Sequence, residues 1–176
     1  MIKKLFGILL VIIALGVFTY LMFYTADYKP NKLVELPFML ESNKSKCVIF
    51  FGYVGCPEVC PVSLAKIAET SRKLNDNKLQ VVFISLNNKS QAETEKFAKI
   101  FDSSFVGFKL SKDEQRELIE RFNVFWSPER KIIKREAAHS PYIYFLKKEK
   151  EAWILKNVYT QYPAKVDDLI TLTKEL

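Results

Sequence analysis

Lys46 to Leu64 reads KCVIFFGYVGCPEVCPVSL, and most of the fold follows from this stretch. Its first part, "KCVIFFGY", is an unbroken apolar run of β-branched and aromatic residues, the pattern of a central strand covered on both faces. The chain then turns at Pro57 and continues from Pro61 to Leu74 as a helix. Leu64, Ala65, Ile67, Ala68 and Leu74 recur near helical period, with Lys66, Glu69, Arg72 and Lys73 largely opposite. Between strand and helix stand Cys56 and Cys60, spaced C-x-x-x-C.

Downstream the pattern repeats. Gln80 to Leu86, "QVVFISL", reads as a second buried strand. Ser90-Gln91-Ala92-Glu93 and Ser111-Lys112-Asp113-Glu114 are capping boxes, which predict helices running to Phe101 and Phe122. "SFVGFKL" between them is a shorter strand. Tyr142 to Leu146 and Ala152 to Val158 form a hairpin around the polar turn "KKEKE". Pro163 at a first helical position opens a last helix, Ala164 to Leu176. Strands alternating with helices call for a mainly parallel sheet, and the closing hairpin adds an antiparallel edge. That is the chain order of an α/β, thioredoxin-like fold. Phe50, Phe51, Phe83, Tyr142, Tyr144 and Phe145 are its core candidates.

Upstream, Lys3 and Lys4 precede an uncharged stretch from Leu5 to Tyr24, about 20 residues and long enough for a transmembrane helix. The two lysines put the N-terminus inside and the rest outside, and Tyr20 and Tyr24 suit an interface. A cleaved signal peptide would have a shorter apolar run and a small-residue cleavage site, which "YTADY" does not provide. The sequence thus divides into an anchor (1–25), a linker (26–36) and a folded domain (37–176). The expected location is the inner membrane, single-pass, with the domain facing the periplasm or its extracytoplasmic equivalent, where thiols meet oxidising conditions. The 27 basic and 20 acidic residues give a net charge of +7. The bases are scattered and no nucleic-acid motif accompanies them, which argues against that class of partner.

Cysteines four apart can point at one atom, or approach closely enough for a disulfide. A helix N-terminus nearby favours the thiolate, which serves both as nucleophile and as metal ligand. The one histidine, His139, lies in "AAHSPYIYFL", just ahead of a strand expected beside the first. Two thiolates and an imidazole make a three-donor set. Soft sulfur suits Cu(I), imidazole suits both copper states, and structural zinc would take a fourth protein ligand. Cys47 lies inside the first strand and reads as a small buried hydrophobe.

Together, "FFGYVGCPEVCPVSL", "VVFISL" and "HSPYIYFL" resemble the Sco/SenC family of membrane-anchored copper proteins over roughly Pro37 to Leu176. The resemblance implies a thioredoxin-like fold that binds Cu(I) or Cu(II) through Cys56, Cys60 and His139. It also implies delivery of copper to, or reduction of cysteines in, the dinuclear copper site of cytochrome c oxidase subunit II, with other copper chaperones as further partners. A second reading is a thiol–disulfide oxidoreductase, in which Cys56 attacks, Cys60 resolves and Pro141 takes the place of the cis-proline found opposite the active thiols of thioredoxin-like folds. The sequence departs from the family pattern at Glu58, where Asp is usual, at Gly55, and at Leu86-Asn87-Asn88-Lys89-Ser90, where an acidic, proline-containing segment is usual. Trp126-Ser127-Pro128 and the basic "ERKIIKRE" that follows read as a surface loop or short hairpin before His139.

Overall fold

The computed structural model describes residues 2–24, 30–128 and 137–176, with side chains in the first helix at 6, 7 and 9–20. A six-stranded sheet is built from β1 (Lys32–Val34), β2 (Lys46–Gly52), β3 (Leu79–Ser85), β4 (Val106–Lys109), β7 (Ile143–Glu149) and β8 (Ala152–Tyr159), in the order β1-β8-β7-β2-β3-β4. β2, β3 and β4 are parallel, and β7, β8 and β1 add antiparallel pairs on the other side. β5 (Trp126–Ser127) and β6 (Ala138–His139) form a separate two-stranded ribbon. The helices are α1 (Ile2–Tyr24), α2 (Val59–Leu74), α3 (Gln91–Lys99), α4 (Lys112–Phe122) and α5 (Val166–Lys174).

β2 sorts its side chains by the two-residue period of a strand. Val48 and Phe50 join the core under α2, α3 and α5, with Leu64, Ile67, Phe83, Ala98 and Leu169. Cys47, Ile49 and Phe51 face the opposite core with Leu118 and Phe122 of α4. Burying each phenylalanine is worth roughly 1.5–3 kcal/mol, so this one strand ties both halves of the domain together. Both capping boxes form: Ser90 and Ser111 accept from the backbone N–H of Glu93 and Glu114, whose carboxylates accept in return from the capping backbone N–H.

Four expectations shift. α2 begins at Val59, two residues earlier than Pro61, which brings Cys60 into its first turn. α5 begins at Val166 with Lys165 at the cap, so Pro163 lies ahead of the helix. β7 runs on through Lys147, Lys148 and Glu149, and the reversal falls at Lys150, whose φ is 55°. Lys32–Val34, within the stretch read as a linker, pairs with β8 as an edge strand. Of the core candidates, Tyr142 is only half-buried, and the other five are buried.

The backbone is helical from Ile2 to Tyr24, and the apolar side chains described along it are exposed. Among the described residues no helix is long and apolar enough to cross a membrane. The basic "ERKIIKRE" at 129–136 lies outside the described residues; the residues on either side of it make the ribbon β5–β6.

Candidate metal centre

The site gathers at one end of the sheet for a topological reason. Cys56 follows the carboxyl end of β2, where open α/β sheets place their functional groups. β7 is antiparallel to β2, with Ile143 opposite Phe50, so the start of β7 lies at that same end. His139 precedes β7 by four residues and reaches the cysteines there.

The local chain builds the cysteine arm. After Gly52, the Cys56 N–H donates to the Tyr53 carbonyl (3.2 Å), closing a turn that holds Gly55 at φ +91°, a backbone that favours glycine. α2 then opens at Glu58, and the Cys60 N–H donates to the Cys56 sulfur at 3.4 Å. The Cys56 sulfur thus sits against an otherwise orphaned amide of the helix N-terminus. The Cys60 thiol beside it and the backbone N–H groups of Cys60 and Glu58 favour its charged form, against a cost of burial. Together they hold the Cys56 thiol down at about 4. Cys60 moves the other way: the neighbouring Cys56 sulfur and burial push its thiol far up. Within the pair, therefore, one sulfur carries the charge and the other keeps its proton. Cys47 is fully buried on the opposite face of β2, where desolvation alone pushes its thiol up, as befits a core residue.

The histidine arm is built from afar. Trp126 pairs with His139 across the ribbon, and the Ser140 N–H donates to the Phe125 carbonyl at 3.0 Å. The ring stands edge-on between Phe50 and Tyr53, with centroids 5.8 and 5.7 Å away. The Tyr53 hydroxyl donates to the Ala137 carbonyl at 3.3 Å, tying the two arms together. His139 Nδ1 lies 2.9 Å from the Ser140 carbonyl, an acceptor, which assigns the ring proton to Nδ1. Nε2 then presents its lone pair to Cys60 Sγ at 3.2 Å and Cys56 Sγ at 4.0 Å. This is the orientation a metal-ligating imidazole takes when its other nitrogen is held by a carbonyl.

The three ligand atoms all lie within 4.8 Å of one another. A set of two sulfurs and one imidazole nitrogen fits a soft, low-coordinate ion better than structural zinc, which takes four protein ligands. All three sequence candidates are thus brought together. Glu58 is exposed at the α2 cap, makes no side-chain cap bond and is not part of the cluster. Pro141 follows a trans peptide, since the cis bond found among the described residues precedes Pro163, so the cis-proline role expected of it is not filled.

Three supporting residues escaped the sequence reading. Gly52 closes β2 against the site: a Cβ there would lie 2.6 Å from Cys60 Sγ and 3.0 Å from Phe83. A glycine ending an apolar strand is a recognisable sign of such a close approach. Asn87 accepts from the buried Ser85 hydroxyl (2.8 Å) and donates to the Val54 carbonyl (2.9 Å), bracing the cysteine loop from the end of β3. Ser140 orients the histidine through its carbonyl, and its hydroxyl accepts from the Phe125 N–H at 3.3 Å. Neither has a sequence signature.

Residues 42–172 match the family model described as SCO1/SenC. An SCO2-like protein of Rickettsia conorii is 30% identical over 84 residues, 46% of this chain and 41% of that protein. The mitochondrial protein SCO2 of Saccharomyces cerevisiae is 24% identical over 122 residues, 64% of this chain and 40% of its own length. The matches thus span about two fifths of those relatives. Among solved structures, copper-bound ScoI of Arabidopsis thaliana superposes with a TM-score of 0.64 at 22% identity, over 74% of this chain and 83% of that one. Copper-bound ScoI of Bradyrhizobium japonicum gives 0.62 at 24%, over 76% and 87%. At these identities the superpositions establish the shared fold. The family match runs from before β2 into α5, and so takes in both arms of the cluster; the chain belongs to the SCO1/SenC family.

Proposed function

We propose that this chain is a membrane-anchored, extracytoplasmic copper metallochaperone that delivers copper to, or matures, the dinuclear copper site of cytochrome c oxidase subunit II. The observation that carries the reading is the convergence of Cys56, Cys60 and His139 within 4.8 Å, with the histidine already turned to offer Nε2. Copper is the cargo. Cys56 meets it as a thiolate, Cys60 gives up a proton to bind it, and His139 completes the set. Transfer proceeds by exchanging one protein ligand at a time for a ligand of the acceptor, and half-buried His139 is the most accessible of the three. The apolar run from Leu5 to Tyr24 behind Lys3 and Lys4 supports the anchor and the outward-facing domain.

A copper titration of the reduced chain tests this. One equivalent should bind, and Cys56→Ser, Cys60→Ser and His139→Ala should each weaken it. Stoichiometric binding that survives all three substitutions would remove the site.

The charge split between the two thiols supports a second reading, reduction of a partner disulfide. The Cys56 thiolate attacks one sulfur of that disulfide, and the partner's other sulfur leaves as a thiolate. That thiolate takes the Cys60 proton, and the Cys60 sulfur then attacks Cys56, releasing the partner's second sulfur as a thiolate. Two electrons pass to the partner, and a Cys56–Cys60 disulfide remains. Exchange with a model disulfide, followed by mass, checks it: a mixed disulfide trapped on Cys56 in Cys60→Ser is the expected product.

A further inference from the structure

Beside the metal centre lies an open groove of about 780 Å³ between the cysteine loop and the loops that follow β3 and β4. One wall belongs to the site itself. Gly55 and Pro57 flank Cys56, and Tyr53 and Trp126 are the residues that pack or pair with His139. The other wall carries Lys89, Lys109 and Lys112, and among the described residues no acidic side chain lines the groove. Lys89 is paired with Glu93 at 3.1 Å, and Lys109 donates to the Asn87 carbonyl at 3.1 Å and has no carboxylate partner among the described residues. Lys112 has no partner among the described residues.

We propose that this groove docks an acidic segment of the protein that exchanges copper with the chain. The inference rests on the copper reading above and names the chemistry of the partner. Cys56 is only 7% exposed, so an incoming ligand must work from the rim of the site, and this groove forms one side of that rim. A partner settling there meets two aromatic faces and a wall of positive charge. Opposite charge speeds encounter and fixes orientation, whereas a basic surface would be repelled. The aromatic rings bury apolar stems of the docked segment, and the lysines, on flexible side chains, adapt to its carboxylates.

The test uses the full, copper-free, reduced chain and a dye-labelled decaglutamate peptide, followed by fluorescence anisotropy. Saturable binding that weakens with added salt is expected, with decalysine at least about tenfold weaker. The double variant Lys89→Glu/Lys112→Glu should lose about tenfold or more in affinity. Both positions stand at the N-terminal ends of helices, where a glutamate is well tolerated, and an unchanged melting temperature verifies folding. Equal binding of decalysine, or decaglutamate binding indifferent to the double variant, overturns the proposal. So does displacement by inorganic phosphate at equal charge, which would mark a small-anion site. Lysine-dependent binding to phosphatidylglycerol vesicles without peptide binding overturns it in favour of a lipid surface. A parallel copper titration of the same preparation keeps the two readings apart: peptide binding without copper binding defeats the copper reading alone, and copper binding without peptide binding defeats the groove alone.

Discussion

The two arms of the metal centre are made in different ways. Cys56 and Cys60 lie within one strand–turn–helix unit, and their distance is set by a turn and by the first residues of α2. His139 arrives from about 80 positions away on a two-residue strand, held by Trp126, Phe125, Tyr53 and its own neighbour Ser140. The first arm is specified locally and buried, and the second by tertiary contacts and half-buried. The cysteine arm should therefore fix affinity, while the histidine arm adjusts it and opens for transfer.

Removing a ligand from each arm gives the largest effect and the sharpest contrast. Cys56→Ser or Cys60→Ser should cost more than about 100-fold in Cu(I) affinity, beyond the range of losses from supporting residues. His139→Ala should cost less for Cu(I), which thiolates satisfy, and more for Cu(II). Competition against a Cu(I) chelator measures the former and the Cu(II) resonance spectrum the latter. Equal losses from both arms would erase the distinction.

Gly52→Ala attacks the cysteine arm without touching a ligand. The added methyl meets Cys60 Sγ at 2.6 Å inside a packed core, an overpacking worth about 1–3 kcal/mol. Denaturant unfolding should register that cost, and Cu(I) affinity should fall with it.

The unequal thiols of that arm predict the pH dependence. Cys56 is depressed to about 4 and is already a thiolate near neutrality, while Cys60 is raised and holds its proton. Raising the pH therefore helps copper compete at one sulfur only, so affinity should rise about tenfold per pH unit between roughly pH 7 and pH 8. A hundredfold slope would mean that both thiols are protonated. The smallest effect is expected from Asn87→Ala, which removes the brace on Val54 and strips the buried Ser85 hydroxyl of its acceptor. A loss of about 1–3 kcal/mol in stability and up to about tenfold in copper affinity should follow.

The same contrast explains how much could be read in advance. The continuous apolar runs of β2 and β3, the two serine–glutamate capping boxes and the cysteine spacing are local signals, and each produced the expected element. The fold and the cysteine arm were legible for that reason. Boundaries moved where neighbouring structure decides them, as in the two extra residues of α2 before Pro61 and the extension of β7 through charged residues that β8 pairs. Lys32–Val34 carries no strand signal of its own and is recruited by the open edge of β8. His139 was singled out as a candidate by its chemistry and uniqueness, but what orients it could not be, because Ser140 and Phe125 act through backbone groups and Tyr53 through a hydroxyl that reaches a distant backbone carbonyl. The segment after Leu86 stood out only for lacking acidic residues. In the structure Asn87 braces the cysteine loop and Lys89 lines the groove beside it.

The central claim is that both arms hold one ion at the same time. X-ray absorption at the copper edge of the singly loaded, reduced chain tests it directly. The account predicts a first shell of two sulfurs and one imidazole nitrogen, losing one sulfur in Cys60→Ser and the imidazole scattering in His139→Ala. A shell of oxygen and nitrogen alone, or one unchanged by either substitution, would contradict it.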